Sequence, residues 1–178
     1  MRVVGGKYKS RVLFEFKGDA IRPTADKVRE SLFNILQNRI YGVEFLDLFC
    51  GTGAMGIEAI SRGAKRVVFN DKSRDSIALT KKNLQKLGVE EEYKISNLDA
   101  CTYLTSTADK FDLIYIDPPY ASDFGLKALQ KASLVLKEDG LVIYENEKPF
   151  LDDIEGLIKT DERKYGRVYL TFFRGKNK

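Results

Sequence analysis

Residues 46–56 have the sequence LDLFCGTGAMG, and the fold can be predicted outward from this segment. Its glycines, Gly51, Gly53 and Gly56, have the spacing G-x-G-x-x-G and lie between a strand-like segment and a helix-like one. Glycine permits a tight turn, lets a ligand approach the backbone, and presents the free N–H groups of a helix N-terminus. The motif alone is a weak signal, but in this context it predicts a Rossmann-like sheet with a ligand site after its first strand.

Strand-like and helix-like segments alternate beyond this loop, which predicts an α/β fold with a doubly wound, mostly parallel, seven-stranded sheet. A closing antiparallel hairpin is expected at its end. Residues 1–40 are predicted to form a hairpin and a helix, N-capped by Thr24, that pack on a core of residues 41–178 within one domain. The predicted strands of the core are 43–49, 66–71, 92–96, 111–117, 140–146, 157–164 and 169–174, with helices at 54–62, 73–88, 100–104 and about 124–136.

The composition excludes several classes of protein. The 178 residues contain no histidine and two cysteines, so a Ser-His-Asp hydrolase, a histidine general base, a Cys-His nucleophile and a disulfide framework are excluded. Without histidine we also expect no metal site. No apolar run is long enough to cross a bilayer, and the first residues lack the apolar segment of a signal peptide. We therefore expect a cytoplasmic protein, and we expect it to be a monomer.

Charge is distributed unevenly along the chain. Residues 1–39 carry nine Lys or Arg against four Asp or Glu, residues 163–178 carry six against none, and the middle carries fifteen against twenty-two. If both basic ends share one face, they could attract a polyanion such as RNA. The alternative is that the charged ends only keep the protein soluble. The candidate cations are Arg2, Lys7, Lys9, Arg11, Arg22, Lys164, Arg167 and Arg174.

Two acids flank the glycine loop and suggest what it binds. Asp71 ends the second predicted strand, twenty residues after Gly51, where a carboxylate can accept both hydroxyls of a ribose. Asp47 ends the first strand and would repel a pyrophosphate, whereas it suits the cationic amino and sulfonium groups of S-adenosylmethionine. Asp99, near the end of the third strand, would lie at the adenine. The alternative is that these carboxylates cap turns and helices.

Residues 111–122, FDLIYIDPPYAS, form a predicted strand that ends at a rigid corner. Proline fixes φ and cannot donate to a sheet, so the strand stops before Pro118 and Pro119. The Asp117 carboxylate and the Pro118 carbonyl could accept the N–H bonds of a nucleobase amine and hold it pyramidal for attack on a methyl group. Tyr120 could stack on an extruded base. The alternative is an ordinary turn at the end of a strand.

The corner and the glycine loop together resemble the Asn/Asp-Pro-Pro-Tyr amino-methyltransferases. The segments VVGGKYKSRVL, RPTADKVRESLFNIL and KYGRVYLTFFR extend the resemblance to the bacterial small-subunit ribosomal RNA guanine-N2 methyltransferases over nearly the whole chain. This resemblance implies S-adenosylmethionine as cofactor and small-subunit ribosomal RNA, or the assembling subunit, as partner. It assigns the methionyl part to Asp47, Gly51, Thr52 and Gly53, the ribose to Asp71, the adenine to Asp99, the target amine to Asp117, Pro118, Pro119 and Tyr120, and the substrate entrance to Arg22, Pro23 and Thr24.

Three other functions share some of these features. A DNA or RNA methyltransferase acting on adenine N6 or cytosine N4 would use the same corner, and the motif itself does not select guanine. A DNA enzyme would usually carry a separate target-recognition domain, for which 178 residues leave little room. A nicotinamide oxidoreductase would share the glycine loop, but Asp47 and the proline corner disfavour it. A catalytically silent RNA-binding module would require the row of acids to be a coincidence.

Overall fold

The computed structural model describes residues 1–17, 23–119 and 123–176, and side chains in the first helix from Asp26 onward. The described helices are α1 Pro23–Ile35, α2 Ala54–Ser61, α3 Arg74–Leu87, α4 Ala100–Ser106 and α5 Phe124–Ala132. The described strands are β1 Glu44–Asp47, β2 Arg66–Asn70, β3 Glu92–Ser96, β4 Phe111–Ile116, β5 Leu136–Asn146, β6 Leu157–Tyr165 and β7 Val168–Gly175.

The seven strands form one sheet in the order β3-β2-β1-β4-β5-β7-β6. The first five are parallel, and β7 is antiparallel to both β5 and β6. The prediction of a doubly wound α/β sheet with a closing hairpin is therefore confirmed. In such a sheet the ligand site lies outside the edge at which the parallel strands end, here called the carboxyl edge.

The central strands are apolar on both faces because helices cover both faces. On β1, Phe45 and Leu46 are both fully buried but belong to separate hydrophobic clusters, since successive side chains point to opposite faces. Side chains of α1, α2 and α3 complete the cluster that contains Phe45. Those of α4 and α5 complete the cluster that contains Leu46.

Local signals fix several helix ends. Ser73 caps α3 by accepting a hydrogen bond from the Ser76 N–H, and Gly88 ends the helix in the left-handed conformation at φ 63°. Asp99 caps α4. None of the helices in the described part of the chain combines the length and the apolar composition that a bilayer crossing requires.

Three predicted boundaries were wrong. The first helix begins at Pro23, so Thr24 lies within its first turn and is not the cap; proline is favoured at that first position because its φ is already helical. The predicted N-terminal hairpin is present but shorter than expected, with one antiparallel bridge between Arg2 and Val12 and with a backbone hydrogen bond from the Val3 N–H to the Arg11 carbonyl at 3.0 Å. The same segment also bonds to α2, from the Val4 N–H to Glu58 Oε2 at 2.8 Å and from the Lys7 N–H to the Ser61 carbonyl at 2.7 Å.

The third wrong boundary separates α5 from β5. The sequence places the helix to about residue 136, whereas α5 ends at Ala132 and β5 starts at Leu136. Apolar residues here fit helical periodicity as well as a strand. The competing contact is non-local, because the Phe111 N–H donates to the Val135 carbonyl at 2.8 Å and Phe111 pairs with Leu136.

Candidate active site

Acidic residues lie at the carboxyl ends of the central strands. Asp47 is the last residue of β1, and Asp71 and Asp117 directly follow β2 and β4. Asp71, Asp99 and Asp117 line one cavity of about 920 Å³. Asp47 and Asp117 line a second cavity of about 190 Å³. Asp117 borders both cavities, as do Phe49 and Gly51, so the two cavities meet at the corner that follows β4.

Each glycine of the loop has its own structural reason. Gly51 and Gly53 have φ values of 53° and 80°, in the left-handed region that side chains disfavour. The Gly53 N–H donates to the Cys50 carbonyl at 2.7 Å and closes the tight turn. Gly56 packs directly on β2, because a Cβ atom there would lie 2.2 Å from Phe69 Cε1. The loop therefore brings the start of α2 against the sheet beside the small cavity.

Asp47 holds the end of the glycine loop through one hydrogen bond. Its side chain is 1% exposed, and Oδ2 accepts a hydrogen bond from the Gly56 N–H at 2.9 Å. Burial, reinforced by the charge of Asp71 and opposed by the Gly56 hydrogen bond, raises the pKa of Asp47 to about 7. A cationic ligand group in the small cavity would stabilise the charged form.

Asp71 and Asp99 both have capping roles. Asp71 accepts hydrogen bonds from the Gly51 N–H at 2.9 Å and from the Ser73 N–H at 2.8 Å. Asp99 Oδ1 accepts from the Cys101 and Thr102 N–H groups at 3.0 and 3.2 Å. Both carboxylates therefore have the capping role that was the alternative to ligand binding. A carboxylate can accept further hydrogen bonds beyond these, and both side chains line the large cavity, so both can still bind a ligand there.

The corner after β4 lies between the two cavities. Asp117, Pro118 and Pro119 line the large one, and Asp117 also lines the small one. Gly125 supports the corner from α5, since a Cβ atom there would lie 2.4 Å from Pro118 Cγ. Burial, with the charges of Glu145 and Asp47, holds the pKa of Asp117 well above its usual range. Tyr120, the fourth residue of the predicted corner, lies outside the described residues.

Two buried side chains of the small cavity escaped the sequence analysis. Glu145, near the end of β5, accepts a hydrogen bond from the Tyr115 hydroxyl, and both residues line the cavity. Burial raises the pKa of Glu145, and the Tyr115 hydrogen bond opposes that shift. The signal was available in the sequence, because GLVIYEN also ends an apolar strand with an acid, as β1 and β4 do.

Arg29 of α1 also lines the small cavity and was not predicted. Its side chain is 3% exposed. Nη2 donates to the Arg2 carbonyl at 2.6 Å and to Asp26 at 2.8 Å. Nε lies 3.6 Å from Glu58 and has no hydrogen-bond partner within the described part of the chain. The small cavity is therefore lined by two buried acids, Asp47 and Glu145, by the half-buried Asp117, and by one incompletely bonded guanidinium. The amphipathic pattern of α1 does not predict a buried arginine, because an arginine on a helix usually faces solvent.

The predicted RNA-contacting cations do not all lie near the cavities. Lys164 and Arg167 flank the β6–β7 turn, which lies beside the carboxyl edge because the last residue of β5, Asn146, pairs with Tyr169. Lys7 lies at the opposite edge, paired with Glu91 just before β3 at 2.7 Å.

Lys9 shares the Lys7 turn, with its N–H bonded to the Gly6 carbonyl at 3.2 Å. Arg11 follows in the same segment, where its carbonyl accepts a hydrogen bond from the Val3 N–H at 3.0 Å. Arg22 lies outside the described residues, as does the side chain of Thr24. The structure therefore does not bring Lys7 and Lys9 together with Lys164 and Arg167.

This sheet, its glycine loop and its row of acids define the chain as a Rossmann-like methyltransferase. The family model described as "Conserved hypothetical protein 95" matches residues 1–174, and the chain belongs to that family. It is 36% identical over 156 residues to ribosomal RNA small subunit methyltransferase D of Haemophilus influenzae, covering 83% of this chain and 79% of the relative.

Two further comparisons cover almost the whole chain. The Bacillus subtilis protein YlbH, named as a candidate rRNA methyltransferase, is 34% identical over an alignment of 182 positions that covers 98% of each chain. The solved structure of the Escherichia coli protein yhhF, described as a candidate methyltransferase, superposes with a TM-score of 0.88 at 27% identity and covers 99% of this chain and 98% of its own. The predicted family is thereby confirmed.

Proposed function

We propose that the protein methylates the exocyclic N2 amine of a guanine in small-subunit ribosomal RNA. The observation that carries this proposal is the corner at Asp117, which borders both cavities. The names of the relatives support the RNA substrate. The choice of guanine N2 rests on the sequence resemblance. We further propose that the protein acts as a monomer in the cytoplasm, where small ribosomal subunits assemble in bacteria.

The residues of the two cavities fit S-adenosylmethionine. In the large cavity Asp71 would accept the ribose hydroxyls, and Asp99 would lie at the adenine. In the small cavity the acid Asp47 would face the amino group, and the incompletely bonded guanidinium of Arg29 would face the carboxylate. Gly51, Thr52 and Gly53 would allow the cofactor to approach the loop backbone. When bound, the cofactor supplies an electrophilic methyl group on a positively charged sulfur.

The corner residues prepare the target amine. The Asp117 carboxylate and the Pro118 carbonyl accept its two N–H bonds from outside the plane of the base, so that the nitrogen becomes pyramidal and its lone pair is free for attack. This nitrogen would accept the methyl group that the bound cofactor supplies, and the product nitrogen would then lose its extra proton to water. Pro119 keeps the corner rigid, and Tyr120 stacks on the extruded base.

The test is transfer of labelled methyl groups to small-subunit RNA and to immature small subunits, followed by mass spectrometry of the digested RNA. The expected product is N2-methylguanine at one position. Methylated adenine or cytosine would overturn the assignment of guanine. If wild-type protein labels neither RNA nor subunits, the proposed ribosomal substrate is wrong.

A further inference from the structure

A groove of about 520 Å³ separates α1 from the turn between β6 and β7. Its lining residues come from one face of the helix and from the turn: Lys27, Val28, Glu30, Ser31, Asn34, Tyr165 and Gly166. Val28 also lines the small cavity that contains Asp117. The groove therefore adjoins the proposed site of methyl transfer, although its other lining residues take no part in that site.

The sheet register places this groove at the carboxyl edge. Asn146, the last residue of β5, pairs with Tyr169, and Tyr165 pairs with Val168 across the turn. The turn therefore extends beside the end of β5, which carries Glu145. A chain lying in the groove would pass close to the mouth of the active site and could present one of its residues there.

The cations beside the groove make no ion pair with any described residue. Lys27 lines the groove, Lys164 lies near the end of β6 with its Nζ 5.3 Å from the centre of the Tyr169 ring, and Arg167 lies in the turn; all three are exposed. Other exposed cations differ in this respect: Lys7 and Arg163 are paired with acids at 2.7 and 2.9 Å, whereas Lys9 and Lys65 make no ion pair with a described residue. An unpaired cation can neutralise a phosphate without first breaking an existing ion pair, so this charge favours an anionic occupant.

The groove also contains an aromatic side chain. Tyr165 lines it and is half-buried, with part of its side chain packed against the core. An aromatic face beside unpaired cations is the combination with which proteins bind single-stranded nucleic acid, because bases stack on the ring while phosphates follow the charge. Glu30, Ser31 and Asn34 add acceptors that a ribose 2′-hydroxyl can use.

We propose that this groove binds the single-stranded RNA segment next to the target nucleotide. Lys27 and Arg167 contact its phosphates, and Tyr165 stacks on one of its bases. The inference rests on the proposed function, because the groove needs an RNA substrate to have this role. It replaces the expectation that Lys7 and Lys9 supply the RNA contacts, since those residues lie at the opposite edge of the sheet.

The experiment measures binding of transcribed small-subunit RNA by the full chain at several salt concentrations. The groove variant carries Lys27→Glu and Arg167→Glu, both at exposed positions. The matched control carries Lys9→Glu and Lys65→Glu, exposed cations at the amino edge, with the same change in net charge. The groove variant should bind RNA at least about tenfold more weakly, with a salt slope smaller by about 1.4, the loss expected for two phosphate contacts on a single strand.

Affinity for S-adenosylhomocysteine, measured by calorimetry, should be the same in all three proteins. The proposal is wrong if the groove variant and the control lose RNA affinity equally. It is also wrong if the groove variant binds RNA as tightly as the wild type does. If the groove variant loses binding to assembled subunits but not to naked RNA, the groove contacts ribosomal protein and the proposal is wrong. Failure of the proposed function is seen separately, as an absence of methyl transfer by the wild-type protein.

Discussion

Asp117 and Glu145 lie at neighbouring positions on adjacent parallel strands. Ile116 of β4 pairs with Tyr144 of β5, so the two acids that follow come side by side at the carboxyl edge. Glu145 is buried, Asp117 is half-buried, and both line the small cavity. Burial raises the pKa of both carboxyls, and the charge of Glu145 raises the pKa of Asp117 further. A cationic ligand group in the cavity would stabilise the charged forms instead.

Glu145→Gln should therefore shift the pH dependence of methyl transfer. Burial comes first among the causes of the raised pKa of Asp117, and the charge of Glu145 comes second. Removing that charge lowers the pKa of Asp117, so the acceptor carboxylate persists to lower pH. The acid limb of the single-turnover rate should move down by roughly 1 pH unit, the usual scale for one close charge. Glu147→Gln, at an exposed position on the same segment, is the control. An unchanged pH profile in Glu145→Gln would mean that the charge of Glu145 does not influence the pKa of Asp117.

Asp71→Ala should weaken cofactor binding. The variant leaves the ribose hydroxyls without a charged acceptor and also frees the Gly51 N–H, which Asp71 binds at 2.9 Å. The expected loss of affinity for S-adenosylmethionine is roughly 1–3 kcal/mol. Calorimetry measures it, and Asp75→Ala, an exposed acid in the first turn of α3, is the control. Unchanged affinity in Asp71→Ala removes this residue from the site.

Asp47 should make the ligand-free protein less stable as the pH rises. Its pKa is about 7 in the folded protein against an ordinary 3.8. Between these values the folded state binds more protons than the unfolded chain, so the contribution of Asp47 to the free energy of unfolding is present below about pH 4 and is lost as the pH rises through 7. The charge of Asp71 also raises the pKa of Asp47 and therefore adds to this loss of stability with rising pH.

Asp47→Asn removes this contribution while keeping an oxygen for the Gly56 N–H. Between about pH 5 and about pH 8 the variant should lose roughly 2–3 kcal/mol less stability than the wild type. Urea denaturation without ligand at both pH values measures the difference, and Asp75→Asn should behave like the wild type. Parallel pH profiles of Asp47→Asn and wild type would mean that Asp47 is already charged in the folded state.

The sequence was sufficient for the parts of the site that local rules govern. A strand followed by G-x-G-x-x-G determines both the loop conformation and the start of α2, and the Asp-Pro-Pro corner ends β4 through the chemistry of proline alone. Parallel strands then bring Asp47, Asp71 and Asp117 to one edge whatever their separation along the chain.

The remaining features depend on contacts between distant residues. Lys7 is carried to the amino edge because its segment bonds to the end of α2, and no local pattern encodes that direction. Arg29 reaches the small cavity because α1 packs beside α2, where Glu58 is fully buried. Nothing in the helical periodicity of α1 distinguishes this arginine from a solvated one.

Gly56→Ala should destabilise the protein through packing. A Cβ atom there would lie 2.2 Å from Phe69 Cε1, and Phe69 is fully buried, so the ring has nowhere to move. The expected loss is roughly 1–3 kcal/mol in the free energy of unfolding, the usual cost of overpacking. The control is Gly42→Ala, whose φ of 75° strains the backbone but whose Cβ meets nothing within 4 Å. That variant should lose only about 1–2 kcal/mol. Wild-type stability in Gly56→Ala would mean that the loop and β2 separate at little cost.

Asp117→Ala should abolish most of the methyl transfer without loss of RNA or cofactor binding. If Asp117 and the Pro118 carbonyl hold the target amine in its reactive shape, removing the carboxylate should slow transfer by roughly two to four orders of magnitude, as loss of a preorganised transition-state acceptor does. Asp117→Asn should retain more activity than the alanine variant, because the amide oxygen still accepts one hydrogen bond. Asp123→Ala, at an exposed position before α5, is the control. The measurement is single-turnover transfer of labelled methyl groups to small-subunit RNA or immature subunits. If Asp117→Ala transfers methyl groups at the wild-type rate, the corner has no role in catalysis and only ends β4.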